Sequence, residues 1–411
     1  MKRNLNLVRC GSTVAITFIS MSMALAQDPV AAGIRTRQAL TILSANDGQS
    51  HRRLDAEGRR DTENITADGI TVIHLGPDHA PLTKTVYATV PNSIVDVPYL
   101  PVTPDGRYGF VSSRGTGRAR AGSLEPANLL SVIDLASPDL AVVQKIDIPN
   151  PGTGTMHPDG KHLVVPYANG FRVFALTGSK LEVVRDNPIA FGLGGTVISP
   201  RGDRLVAITF DPTECGPVDC RTAVHVFSYT QGRIEHLTEV KIRPGLSPFD
   251  HPFAPRFSPD GTRVLVLNGG GNGTKGKLDD ILSIDMRTDP PTVTEAVVQL
   301  ADGMEGVAFH PSGRMAVIGC LEEGRAQNTY SHLAVIDLTA KPMRLLYEVN
   351  IEQIPEGIEF TPDGSQLFVQ STGAHHISVF DVDGFLLRRS PFVIRVGHGP
   401  AAMGIAPRFV R

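Results

Sequence analysis

Glu305 and Glu356 occupy the same place in two near-copies of one phrase, GMEGVAFHPSG and IPEGIEFTPDG, six residues ahead of a proline. A carboxylate can act as a general base, a metal ligand or a partner for a cationic ligand, and two held at equivalent positions can converge on one such task. Nearby positions leading into the copies of the phrase hold Asp96, Asp250, His251, Asp302 and His398. Glu305, Glu356 and His251 are therefore the candidate catalytic residues, and Asp96, Asp250, Asp302 and His398 candidate ligand-binding residues. The competing expectation is a solvated polar lining with no ligand. Arg114, Arg118 and Arg120 form a basic cluster with no acid before Glu125, a pattern that could hold a carboxylate or phosphate. The alternative is a solvated loop, because segment 46–68 interleaves its arginines with acids that could offset the cluster.

The N-terminus bears on which chemistry is open to these groups. Lys2, Arg3 and Arg9 precede an apolar stretch from Val14 to Leu25 and the small-residue run Ala24-Leu25-Ala26. This predicts a signal peptide over residues 1–26, cut near Ala26, ahead of Gln27. The apolar run is too short to span a bilayer. No cysteine follows the cut to carry a lipid, and Lys2-Arg3 is not a twin-arginine pair. The expectation is one domain over residues 27–411, periplasmic or secreted, monomeric and without a membrane span. The formal charge of −3 becomes −6 once the three leader cations leave, which argues against a nucleic-acid partner. In an oxidising compartment Cys215 and Cys220, in DPTECGPVDC, are expected to form a local disulfide. The rival reading, a metal, would need two further ligands. Cys320, in MAVIGC, reads as a buried thiol on a strand.

Several familiar motifs are absent or incomplete. GNGTKGK, from Gly271, imitates a phosphate loop but is followed by Leu278 where Ser or Thr is required. H-E-x-x-H, G-x-S-x-G and C-x-x-C-H do not occur. His375 and His376 open a predicted strand and would point to opposite faces. His157 and His310 share a turn position that holds Ser, Thr or Ala in other copies, so they read as turn formers.

The elements that must position these residues follow from a repeat. VTPDGRYGFV, MHPDGKHLVV, ISPRGDRLVA, FSPDGTRVLV, FHPSGRMAVI and FTPDGSQLFV are six versions of one turn between apolar runs, and GIAPRFV is a truncated seventh. The prolines fall at 104, 158, 200, 259, 311, 362 and 407, a period near fifty that indicates a repeat architecture. Pro presets the turn, Asp bonds the local backbone and Gly supplies a positive φ. In the third copy RLVAITF, AVHVFSY and IEHLTEVKI supply three further strands. Four antiparallel strands per copy make a propeller blade, which buries both faces only against neighbours. The predicted fold is all-β, a seven-bladed β-propeller of four-stranded antiparallel blades. Its last copy ends after one strand, so ALTILSA, GITVIHL and TKTVYATV near the N-terminus are expected to complete that blade.

The turns, together with SVIDLAS, AVIDLTA and ISVFDVDG, resemble YVTN-type seven-bladed propeller repeats, and GHGPAAMGIAP and IPEGIEFTPDG are similar to that family's first strand. The resemblance implies kinship with lactone hydrolases, with subunits of quinoprotein amine dehydrogenases and with surface-layer proteins. Related gluconolactonase-type propellers hold calcium with Glu, Asn and Asp. The resemblance therefore suggests a divalent cation such as calcium at the tunnel mouth, although no complete ligand set is matched here.

Strand alternation puts loops between second and third strands on the face where each blade begins. Long ones are expected at 46–68, 112–128, the Cys215 loop DPTECGPVDC, 268–280 and 322–331. Long loops gathered on one face suggest use rather than drift. The expected function is binding of a small molecule or periplasmic protein on that face. The alternatives are a lactone hydrolase and a non-catalytic subunit of a periplasmic redox assembly.

Overall fold

The computed structural model of the protein describes residues 26–27, 31, 33–48, 66–90, 98–116, 125–210, 222–246, 252–269, 278–322, 331–352 and 354–406. These residues form seven sheets set around an axis, antiparallel but for one two-residue pairing, a β-propeller almost without helix. Blades 2 to 6 run in chain order, each from an inner strand outwards. Blade 4, for example, is Pro252–Phe257, Arg263–Asn268, Asp279–Asp285 and Thr292–Ala301. Blade 5 follows as Met304–Phe309, Met315–Cys320, Ser331–Asp337 and Arg344–Ile351. Blade 6 is Pro355–Phe360, Gln366–Ser371, His376–Asp383 and Leu386–Arg395. Among the described residues no helix is long and apolar enough to cross a membrane.

Blade 7 is closed by both ends of the chain. Its inner strand, Pro400–Ala406, pairs with Leu40–Asn46, and Gly69–Leu75 and Leu82–Tyr87 follow outwards. Ala26–Gln27, at the expected cleavage junction, adds a short outermost strand paired to Leu82 and Thr83. A buried polar network fastens this blade to blade 6. Gln370 Nε2 donates to Ser44 Oγ at 2.8 Å and to the Ala402 carbonyl at 3.0 Å, and Thr372 donates to the Pro400 carbonyl. On the other side the peptide groups of Leu100 and Met403 bond blade 1 to blade 7.

Apolar clusters fill the gaps between neighbours. Phe110 and Leu130 of blade 1 meet Leu163 and Phe174 of blade 2, and Phe171 of blade 2 sets its edge against Phe227 of blade 3 at 5.2 Å. Each cluster spans blades, so no blade keeps a core of its own.

Two expected strands differ. IEHLTEVKI does not stay in blade 3. Arg233–Glu239 is its outer strand, Val240 buries itself between blades, and Lys241–Ile242 crosses to pair in parallel with Thr292 and Val293 of blade 4. In blade 1, Tyr108–Thr116, Glu125–Asp134 and Val142–Asp147 form a three-stranded sheet. Its inner segment keeps a single bridge, Val102 to Gly109, because its other edge is spent on Met403 of blade 7. The 112–128 loop is also shorter than expected, since the hairpin continues pairing up to Thr116 and Glu125.

Candidate functional site

Each inner strand of blades 3 to 6 carries a register shift near its start, and in blades 5 and 6 the bulged residues are Glu305-Gly306 and Glu356-Gly357. Bulges re-aim side chains at the ends of sheets. Here they place the two glutamates equivalently on adjacent strands, buried, 5 % and 7 % exposed. The strands touch at this level. A Cβ on Gly306 would lie 2.1 Å from the Glu356 carbonyl oxygen, so glycine is what allows the approach. Asp302 is fully buried just before Met304, and the following Gly303 N–H donates to Asp279 Oδ2 at 3.0 Å. In blade 6 the matching turn residue is Ile354, held at φ 62 by bonds to Ser331 Oγ and from the Thr372 N–H. A β-branched residue adopts that conformation only under tertiary constraint. Glu322, also buried, stands 3.5 Å from His332 Nδ1 on the same face of blade 5.

The structure thus brings Asp302, Glu305 and Glu356 to the long-loop end of two neighbouring blades. His398 lies on that face at the start of blade 7, stacked on His375 at 4.6 Å, and Gly399 N–H donates to His375 Nδ1. His375 departs from its expected place. It ends the short turn Thr372–Ala374 with φ 58, and the strand begins at His376, which turns toward Ser378 and Glu352. Asp96, Asp250, His251, Arg118, Arg120, Cys215 and Cys220 lie outside the described residues, as does the side chain of Arg114. Cys320 is a buried free thiol whose pKa is pushed well up by burial, with Glu322, Glu348 and Asp279 adding to it.

A second group, absent from the sequence reading, lies deeper on the axis. Arg256 Nη2 of blade 4 donates to both carboxylate oxygens of Glu359 of blade 6, at 2.7 and 2.8 Å. Its guanidinium lies 5.0 Å over the ring of Tyr99 from blade 1, whose hydroxyl donates to the Pro255 carbonyl at 3.2 Å. Side chains from three blades spaced around the ring therefore meet across the bore. Burial drives the Glu359 carboxyl upward and Arg256 opposes it, and burial also raises the Tyr99 phenol. They line a recess of about 450 Å³ that opens between Pro158, Pro200 and Pro259 on the turn face. The signal was present in sequence. Three residues before the repeat proline, these two blades carry Arg and Glu where others carry Pro101, Thr155, Val197, Ala308 and Gly404.

Among the described residues the three side chains close enough to share an ion are His157, Asp159 and His162. Asp302, Glu305 and Glu356 are not brought to that spacing. The His157 ring is already engaged in the fold. Its Nδ1 accepts from the Asp159 N–H, its Nε2 meets the Gly202 carbonyl of blade 3 at 3.2 Å, and His310 bonds Gly364 of blade 6 in the same way. Both histidines are turn formers that also clasp the next blade.

Buried carboxylates on adjacent inner strands can accept hydrogen bonds from hydroxyls, hold a cation, or take a proton from water. No protein-family model matches the sequence, so the YVTN-type repeat finds no match there, and no curated protein matches it. Solved structures are similar in fold. The periplasmic gluconolactonase of Pseudomonas aeruginosa superposes with a TM-score of 0.62 at 16% identity, covering 90% of this chain and 99% of that one. A Bacteroides fragilis protein named provisionally as a 6-phosphogluconolactonase gives 0.62 at 15% identity, over 90% and 98%. The hydrazine synthase of Kuenenia stuttgartiensis gives 0.55 at 16% identity, over 76% and 90%. This chain has the propeller fold that lactonases use.

Proposed function

We propose that this protein is an exported propeller that binds a small polyhydroxylated or cationic molecule at the long-loop end of its axis, recognised by Glu305, Glu356 and Asp302. The observation that supports this is the placement of two buried glutamates at equivalent bulges of touching strands. A repeat that sets a carboxylate at the same bulge of two adjacent blades, side by side, is arranged for a common purpose. By their place in the repeat, Asp96, Asp250, His251, His398 and the Arg114, Arg118 and Arg120 cluster are proposed for the same surface. The test is a thermal-shift screen of sugars, lactones and amines against the wild type, Glu305→Gln and Glu356→Gln. Ligands that stabilise the wild type should lose their effect in both variants, and hits that persist equally in both would refute the site. For export, the first residue of protein recovered from a periplasmic extract should be Gln27. Recovery of the full-length chain in the cytoplasm alone would refute it.

The lactonase-like neighbours favour a second reading, hydrolysis of a lactone. A glutamate would take a proton from water, the hydroxide would add to the ring carbonyl, and the ring C–O bond would break with the proton passing to its oxygen. Removing the base should lower kcat at least about a hundredfold. Gluconolactone hydrolysis, corrected for the spontaneous reaction, would decide it. A rate unchanged in both Glu→Gln variants excludes these carboxylates as the base.

A further inference from the structure

The opposite side of the molecule carries a recess of about 570 Å³ where blades 3, 4 and 5 meet, remote from the glutamates and independent of the function proposed for them. Four cations line it: Arg243, Arg263, Arg287 and Lys341, against two acids, Asp285 and Glu295. They come from separate elements. Arg243 follows the strand Lys241–Ile242 that crosses from blade 3, Arg263 and Arg287 belong to blade 4, and Lys341 sits in a turn of blade 5.

The pairing of these charges is unequal. Arg287 is answered by a fork of two bonds to Asp285, at 2.9 and 2.7 Å. Arg243 donates to a neutral acceptor, the Thr294 carbonyl, at 2.9 Å. Arg263 stands 3.8 Å from Glu295 Oε2, an oxygen that also accepts the Met343 N–H, and its Nη1 is buried without a partner among the described residues. Lys341 is exposed and has no ion pair among them. The recess therefore holds positive charge in excess, with one guanidinium nitrogen shielded from water and unbonded. An orphan buried donor is costly and uncommon in a native fold.

The repeat shows that this is not what the fold requires. Arg263 pairs with Asp285 as Met315 pairs with Asp337 one blade later, and Ser283 pairs with Glu295 as Val335 pairs with Tyr347. In blade 5 Asp337 keeps the acid of Asp285, while Met315, Val335 and Tyr347 are apolar and packed against blade 6. In blade 4 the same layer is Arg, Ser and Glu, and the gap to blade 5 is left open. Ser283 stands where blades 1, 2, 3, 5 and 6 carry Val132, Val173, Val226, Val335 and Val379, so the valine that fills this layer elsewhere is missing where the cationic cavity results, which marks a site.

We propose that this recess binds a small dianion with oxygen acceptors, a phosphate monoester or a dicarboxylate, with the Arg263 guanidinium and Lys341 Nζ as its principal donors and Arg243 contributing charge. Guanidinium groups suit such planar or tetrahedral oxyanions. The test is calorimetric titration of the full chain with inorganic phosphate and, separately, with succinate, at constant ionic strength. Saturable binding of either supports the site, and the tighter arm identifies the source chemistry. Arg263→Gln and Lys341→Gln should each weaken it about tenfold. Arg388→Gln, at an exposed arginine of blade 6, should leave it unchanged. Lys341 is on the surface, so its variant tests the site even where Arg263→Gln fails to fold. No saturation by either anion up to about 10 mM, or affinity unaltered by both substitutions, overturns the proposal.

Discussion

The carboxylate of Glu359 accepts both of its strong bonds from one nitrogen of Arg256, away from bulk water. Removing one partner of such a pair leaves the other buried and unanswered, at a cost of about 3–5 kcal/mol, whereas replacing both with apolar groups is often neutral. Glu359→Gln should therefore lower the urea-unfolding free energy by about that amount, and Arg256→Met with Glu359→Leu should restore most of it. A single variant as stable as the wild type would contradict the pairing. Buried histidines set a separate dependence on pH. His74 is lowered to about 4 by burial and then by His79, and His225 to about 4 by burial and then by His236. The unfolded chain binds protons on both near pH 6.5, before the folded chain does, so their stabilisation is present above that pH and is lost as pH falls toward about 4. The melting temperature should drop across this window, and His225→Gln should make the drop smaller. Glu352, lowered to about 2 by its bond from His376 and further by Arg389, opens a second window of loss below the ordinary carboxylate range. At this scale the glutamates of the repeat were legible because they recur in phase. Arg256 and Glu359 also stand in phase, three residues before the repeat proline, but their pairing was not legible, because they are 103 residues apart and only the closed ring brings them together.

Turn glycines join one blade to the next as well as reversing the chain. Gly202 sits at φ 76, and a Cβ there would lie 2.2 Å from His157 Nε2 of the preceding blade. Gly178, at φ 61, has open space around it. Gly178→Ala should cost about 1 kcal/mol for conformation alone, and Gly202→Ala about 1 kcal/mol more for the contact. In a His157→Ala background the difference should vanish in paired denaturation curves. Equal costs in the wild type would mean that the clasp carries no energy. Most strands were readable because Pro-Asp-Gly turns and apolar runs act locally. GITVIHL matches its strand, Gly69–Leu75, end to end. The crossing at Lys241–Ile242 and the reduced inner strand of blade 1 were not readable, since each depends on a neighbouring blade competing for the same backbone groups.

The ring as a whole depends on its joint at blade 7, where strands from the two ends of the chain share a sheet. Deleting residues 398–411 should abolish cooperative unfolding, and Gln370→Met should cost about 1–3 kcal/mol by leaving its partners in Ser44 and Ala402 unmet. A truncated chain that still melts in one sharp transition would show that closure is dispensable. The joint could be anticipated because a repeat that stops after one strand leaves an edge that needs covering. What lies within the ring bears on traffic. Tyr99, Arg256 and Glu359 reach in from three blades and meet at the turn-face recess, on the far side of the ring from the long loops. If the proposed site hydrolyses a lactone and this trio bars the way through, product would leave over the rim by which substrate came, and each departure would stand in the way of the next arrival.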